Sequence, residues 1–182
     1  MKKIFAMLLA VVMMFSLVAC GGKTTEPTTA PTQAAVKVEG TMEELLNKVV
    51  EINPVEFMGG TMPIDLTDTS EDGLWNIKYN TGLDSAEGLT DAAVFGPMMG
   101  SIAFSMVMVR VAEGADAKAV AEAMKANINP RKWVCVEADD LMVAGYGDVV
   151  MLIMVSSQNG MTAQSFVDAF QTVVGAELNF TI

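Results

Sequence analysis

Few side chains in this sequence can do chemistry, and most of them fall between Asn129 and Asp148. Histidine is missing from all 182 residues, which removes the commonest general base, the commonest transition-metal ligand and every Ser-His or Cys-His nucleophile pair. Carboxylates, thiols, thioethers and one basic-aromatic run remain. Glu137, Asp139, Asp140 and Asp148 are close enough in sequence to suggest a pair of acids for hydrolysis. On a strand, though, the adjacent Asp139 and Asp140 point to opposite faces, and solvated turn residues explain them more simply. Arg131, Lys132 and Trp133 set two cations beside an aromatic on a mainly acidic chain, which suits an anionic or peptide ligand. The plainer reading makes Trp133 a core anchor and leaves the two cations solvated.

Cys135 lies in the apolar run Trp133-Val134-Cys135-Val136. A small buried hydrophobe is expected there, since no histidine or second thiol is near enough to lower its pKa. The 16 methionines raise soft-metal binding, because Met98-Met99 and Met106-x-Met108 offer thioethers suited to copper(I). Met1, Met7, Met13 and Met14 precede Cys20 and most others fall at core positions, so adaptable core filling accounts for them and no metal or cofactor is expected. The acidic stretch Asp65 to Gly73 invites a calcium reading. Counted from Asp65, however, position six is Ser70 and position twelve is Asn76, where an EF-hand needs glycine and glutamate. Gly145-Tyr146-Gly147 has too few glycines for a dinucleotide fingerprint and reads as a hairpin.

The elements that must position these groups can be read from periodicity. A helix is expected over Met42–Ile52, capped by Thr41, with Glu43 and Glu44 in its first turn and Leu45, Leu46, Val49 and Ile52 at helical spacing. Pro54 ends it, and a short strand is expected near Met62–Leu66. Ser70 caps a second helix that Gly82 stops, although Leu74–Tyr79 also alternates like a strand. Leu83–Leu89 reads as a turn or short helix capped by Asp84, and Ala92–Phe95 as a brief apolar segment. Ser101–Val111 is the longest strand-like run, with Ile102, Phe104, Met106 and Met108 on one face and Ala103, Val107 and Val109 on the other. Two apolar faces place it centrally. A helix over Ala115–Ala126 follows, turning Val120, Ala123, Met124 and Asn127 inward. Leu141–Tyr146 and Val149–Ser156 flank a Gly147-Asp148 turn, Thr162 caps a last helix over Ala163–Val174, and Glu177–Ile182 adds an edge strand. The fold class is α+β: a small antiparallel or mixed sheet with helices packed on it.

The N-terminus bears on where this domain works. Lys2 and Lys3 precede an apolar run from Ile4 that ends in Leu17-Val18-Ala19-Cys20 and then Gly21-Gly22, the parts of a secretion signal. The uncharged run to Ala19 is 16 residues long, below the roughly 20 that a spanning helix needs. Leu17-Val18-Ala19-Cys20 resembles the lipobox of bacterial lipoproteins, which implies a diacylglyceryl thioether on Cys20 as the first mature residue. Two acyl chains hold a protein firmly where one binds reversibly. Residues 1–19 are then a signal, 20–40 a lipidated Thr/Pro-rich flexible tether with a reach of roughly 25 Å, and 41–182 a single domain. Taking Lys2 and Lys3 from the 11 basic residues leaves 9 against 22 acidic ones, a net charge near −13. Such a surface repels nucleic acid and anionic headgroups, so the membrane contact is expected through the lipid alone.

The lipobox, the Thr-rich tether, Ser105–Val111, Asn129–Asp140 and Gly147–Val155 together resemble a small family of lipoproteins of unknown function from anaerobic Gram-positive bacteria. The resemblance covers roughly the last half of the chain besides its start. It implies a lipid anchor on the extracytoplasmic face of the cell membrane and carries over no reaction, ligand or catalytic residue. A well-patterned core without a reactive constellation points to a non-catalytic binding module, an accessory or sensor partner of an envelope protein or of a small-molecule or peptide ligand. A cell-envelope hydrolase using carboxylates is the alternative.

Overall fold

Val149–Val155 is apolar at each position, and every one of these residues is buried, as happens in a strand covered on both faces. This strand, β5, is one of six in a computed structural model that describes residues 36–182. In chain order the others are β1 (Gly59–Pro63), β2 (Leu89–Pro97), β3 (Phe104–Val111), β4 (Asp140–Tyr146) and β6 (Phe180–Thr181). They form one sheet in the order β1-β2-β3-β5-β4-β6, and each neighbouring pair is antiparallel. The expected α+β class therefore holds, with the sheet purely antiparallel among the described residues.

Among the described residues four α-helices cover the sheet: α1 (Met42–Ile52), α2 (Glu71–Thr81), α3 (Ala117–Asn127) and α4 (Ala163–Val174). The period of two in β3 and β5 divides the core. Phe104, Met106, Met108, Met151, Ile153 and Val155 face Leu45, Leu46 and Val49 of α1 and Phe166 and Phe170 of α4. Val107, Val109, Val150 and Leu152 face Ile77 of α2 and Ala121 and Met124 of α3. At about 25 cal/mol per Å² of apolar surface, two such layers give β3 and β5 most of their hold on the fold.

The helix ends follow local chemistry. Thr41 and Glu44 form a reciprocal capping box, while Ser70 Oγ accepts from Gly73 N and Thr162 Oγ1 from Ser165 N. Each such cap is worth about 1 kcal/mol. Gly82 closes α2 in the left-handed region at φ 80°, so the helical reading of Leu74–Tyr79 prevails over the alternating one. Gly73, awkward for a helix, is needed because a Cβ there would overlap Asp68.

Several boundaries differ from the sequence reading. β1 covers Gly59–Pro63 instead of Met62–Leu66: Gly59 pairs with Pro97, and the Phe95 ring crosses so close that a Cβ on Gly59 would lie 2.8 Å from it. β2 runs through nine residues instead of a brief segment, with an irregularity between Leu89 and Asp91. α3 starts two residues late because Asp116 Oδ1 accepts from Lys118 N and Ala119 N and so acts as the cap. Asn127, expected inward, is exposed, and Ala121 is buried instead. Asp84 caps nothing and pairs with Lys78 at 2.7 Å.

Residues 36–40, assigned to the tether on composition, are bonded to the domain. Asp148 N donates to Val36 O at 3.0 Å, Val38 N to Asp148 Oδ1 at 2.9 Å, and Arg110 to Gly40 O at 2.6 Å. The signal, Cys20 and the rest of the tether lie outside the described residues.

Candidate functional site

Strand direction sorts the connections to two ends of the sheet. The β4–β5 turn at Gly147-Asp148 lies at one end with the bonded segment 36–40. Residues 98–103, 129–139 and 156–162 all lie at the other. Seven residues of β5 separate the two ends, a span of about 20 Å at 3.3 Å per residue.

The segment 129–139 forms a closed lobe at the far end. Ala138 N donates to Pro130 O at 2.9 Å, and inside this closure Arg131 pairs with Glu137 across an exposed surface, a contact worth little to stability. Closure lifts the apolar run out of the sheet, so Cys135 is exposed and takes a left-handed φ of 62°. The expectation of a buried hydrophobe at Cys135 is thus overturned. Val134 beside it is 74% exposed.

Arg131, Lys132 and Trp133 are brought together in chain but not in direction. Lys132, expected in solvent, turns inward: its Nζ donates to Tyr79 O at 3.1 Å and Ser105 Oγ at 3.0 Å, and it stands 4.7 Å from the Tyr79 ring centroid and 5.5 Å from that of Trp133. Burial pushes its pKa from the ordinary 10.5 down to about 8, because the charged form loses water while its partners here are neutral. Trp133 packs against the layer beneath α2 and α3 and also lines a surface cleft. Its reading as a core anchor is therefore half the story.

That cleft, about 490 Å³, is bounded by Ser101, Arg131, Trp133, Cys135, Glu137 and Asn159. A second, about 500 Å³, lies across Asn159 against Asn53, Glu56, Phe57 and Ser165. A third, about 330 Å³, lies on the other flank of the lobe between Trp75, Tyr79, Arg131 and Lys132. Trp75 and Tyr79 stack at 4.8 Å from successive turns of α2. The sequence signal for that pair was available, since residues four apart share a helix face.

The acids serve the scaffold. Asp139 accepts from Ser157 N at 2.7 Å and Ser157 Oγ at 2.5 Å, and those hydrogen bonds hold its carboxyl below the usual range. Asp140 Oδ2 accepts from Ala163 N at the start of α4, so neither acid is a merely solvated turn residue. Asp148 sits at the opposite end of the sheet, and Glu137 is paired with Arg131. The four acids do not converge. Among the described residues, no group of three His, Cys, Asp or Glu could hold a metal ion, and no helix is long and apolar enough to cross a membrane. Comparison with family models, curated proteins and solved structures gives no match.

Proposed function

We propose that this chain is a lipoprotein anchored through an acylated Cys20 on the extracytoplasmic face of the cell membrane. In this reading it is a member of the lipoprotein family it resembles, and its domain is a binding module that offers the lobe 129–139 to a peptide segment of an envelope protein. The observation that carries this reading is the placement of the lobe and its clefts about 20 Å of strand away from the end where the tether joins. A module held at one end meets partners with the other. Trp133 supplies a rigid apolar wall, and Ser101, Gln158 and Asn159 supply amide and hydroxyl groups, the mixture that suits a backbone-bearing ligand. Arg131 and Lys132 are already engaged by Glu137 and by Tyr79 and Ser105, so a peptide is favoured over a small anion. Hydrolysis by paired acids is less favoured, because the carboxylates are each held elsewhere.

A photo-crosslinking residue in place of Val134 in the full chain tests the binding reading. It should capture one envelope protein in intact cells, while the same residue at Lys125, exposed on α3, captures none. Recovery of the uncrosslinked protein alone from Val134 would refute a partner at the lobe. Mass spectrometry of membrane-extracted protein should find a diacylglyceryl adduct on Cys20, and Cys20→Ser should release the chain into the medium. An unmodified, freely diffusing wild-type product would remove the anchor.

A further inference from the structure

Trp75 is one of two tryptophans in the chain, and 62% of it is exposed. A surface side chain ordinarily changes rotamer freely; this one is seated. Its ring stacks on that of Tyr79, one helical turn along α2, with centroids 4.8 Å apart and 23° between the planes. Tyr79 is fixed in turn, since its hydroxyl donates to Lys132 O at 3.2 Å and Lys132 Nζ stands 4.7 Å from its ring centroid. The indole is a platform held in place before any ligand arrives, which lowers the entropy that binding must overcome.

A close approach of two helix ends builds a cleft beside this platform. Gly82 brings the end of α2 so near the end of α3 that a Cβ on it would lie 2.7 Å from Ile128 N. Ile128 is buried and its N–H donates to Met124 O at 3.0 Å, so Asn127 and Asn129 on either side of it are left at the surface. Both asparagines line the 330 Å³ cleft with Trp75 and Tyr79, a volume at the low end of ligand pockets, which run from roughly 300 to 1,000 Å³. Asn129 Oδ1 accepts from Arg131 N at 2.9 Å, which leaves its two amide protons to donate.

The charges in the lining narrow the ligand class. Lys78, Arg131 and Lys132 line the cleft and no carboxylate does, although the chain has 22 acidic residues against 11 basic ones. A cationic ligand is therefore disfavoured. Each cation already has an acceptor: Lys78 has Asp84, Arg131 has Glu137, and Lys132 has Tyr79 O and Ser105 Oγ. None waits for a full negative charge, yet an ammonium has three N–H groups and a guanidinium five, so donors remain for neutral oxygens. The platform asks for a flat apolar face, and the rim asks for neutral oxygens around its edge. A pyranose ring has both, with C–H bonds on its faces and hydroxyls at its perimeter. A protein hot spot would instead surround its aromatic anchor with contacts that exclude water, whereas Trp75 is bordered by amides and cations.

We infer that Trp75 and Tyr79, with Asn127, Asn129 and the Lys78 and Arg131 donors, form a site for a neutral saccharide stacked on the indole. The site lies on the opposite flank of the lobe from the clefts assigned to a peptide, and it stands whether or not a peptide binds there. A shallow cleft that stacks one ring gives a Kd of roughly 1 mM. Because the ligand carries no charge, the affinity does not fall with added salt, as it would for an anion held by exposed cations.

The test uses the full chain in detergent with 5-fluorotryptophan at both tryptophans, so that fluorine-19 spectra show two signals, assigned through Trp75→Phe. The probes are the β-1,4-linked trimers of glucose and of N-acetylglucosamine. At least one trimer should move the Trp75 signal saturably, leave the Trp133 signal in place, and do so equally at low and high salt. Trp75→Ala should lose at least tenfold in affinity, read on the sugar protons by saturation transfer, and Asn127→Ala at least threefold. Both change exposed groups, and unchanged melting temperatures confirm that the variants are folded. If neither trimer moves the Trp75 signal at about ten times that Kd, the site is overturned. Binding that survives Trp75→Ala overturns it as well. So does a Trp75 signal that broadens with protein concentration alone, or that a tryptophan-containing tetrapeptide moves at lower concentration than either trimer; both would mark a protein-docking surface.

Discussion

Asp148 takes the Arg110 guanidinium on one carboxylate oxygen at 2.5 Å and the Val38 N–H on the other at 2.9 Å. Both side chains are about one-eighth exposed, at 12% and 13%, so water contributes little to either charge. Arg110 completes the clasp through Gly40 O, and Gly147 must lack a side chain because a Cβ there would overlap the Val36 carbonyl. The point where residues 36–40 join the sheet is therefore built into the β4–β5 turn.

Breaking the clasp from one side should leave a buried charge unpaired. Asp148→Ala is expected to cost about 3 kcal/mol in urea unfolding, and the double variant Asp148→Ala, Arg110→Met clearly less than the sum of the singles. The same single change should release residues 36–40, so trypsin should cut after Lys37 much faster than in the wild type. Equal cutting rates would show that the clasp does not hold the segment.

Lys132 makes stability depend on pH in an unusual direction. Its folded pKa of about 8 lies below the ordinary 10.5, so between those values the unfolded chain binds more protons. Stability from this group therefore rises as pH climbs from about 8 to 10.5; below about 8 the cost of burying the cation is present in full. The difference in unfolding free energy between wild type and Lys132→Met should change in the wild type's favour across that window and stay flat from pH 6 to 7. A difference that stays constant to pH 10.5 would mean that the ammonium is not desolvated.

What was legible in the sequence was what adjacent residues decide among themselves. Met42–Ile52 and Ala163–Val174 carry their caps and their stops within a dozen residues, and the structure returns both with those bounds, although Ile52, expected on the apolar stripe, is exposed and Met42 is buried instead. The unbroken apolar run of β5 likewise announced a strand with two covered faces. Trp133-Val134-Cys135-Val136 misled because an apolar run implies burial only where the backbone can join a sheet. The Ala138–Pro130 hydrogen bond and the left-handed Cys135 take this run into a lobe. Lys132 was illegible for the opposite reason: its partners Tyr79 and Ser105 are 53 and 27 residues away. Residues 36–40 look like tether in composition and are held by side chains far along the chain.

The left-handed backbone at Cys135 predicts a stabilising substitution. A non-glycine residue in this region costs about 1–2 kcal/mol, while glycine adopts it without steric penalty at the expense of greater freedom in the unfolded chain. Cys135→Gly should therefore raise stability by about 0.5–1 kcal/mol, and Cys135→Ala should not. The exposed thiol should also react completely with iodoacetamide in the folded protein at pH 8. A thiol that becomes alkylatable only in denaturant would place Cys135 in the core after all.

The exposed and the fully buried methionines should separate under dilute peroxide, because sulfoxide formation needs access to the sulfur. Met58, Met62, Met98 and Met99, all more than half exposed, should oxidise together and early, whereas Met106, Met108 and Met151, at 0% exposure, should oxidise only at the rate at which the sheet opens. Oxidation of the exposed group adds polarity where water already is and should move the melting temperature by no more than about 2 °C, within the effect of a surface change for a domain of this size. A sulfoxide on Met106 or Met108 would sit between β3 and the α1–α4 layer, where an unpaired polar oxygen costs about 1–3 kcal/mol. Peptide mass mapping at successive times reads both rates. Urea should accelerate the second group and leave the first unchanged. If Met106 kept pace with Met98 in native buffer, the central strand would be opening far more often than a strand buried on both faces can.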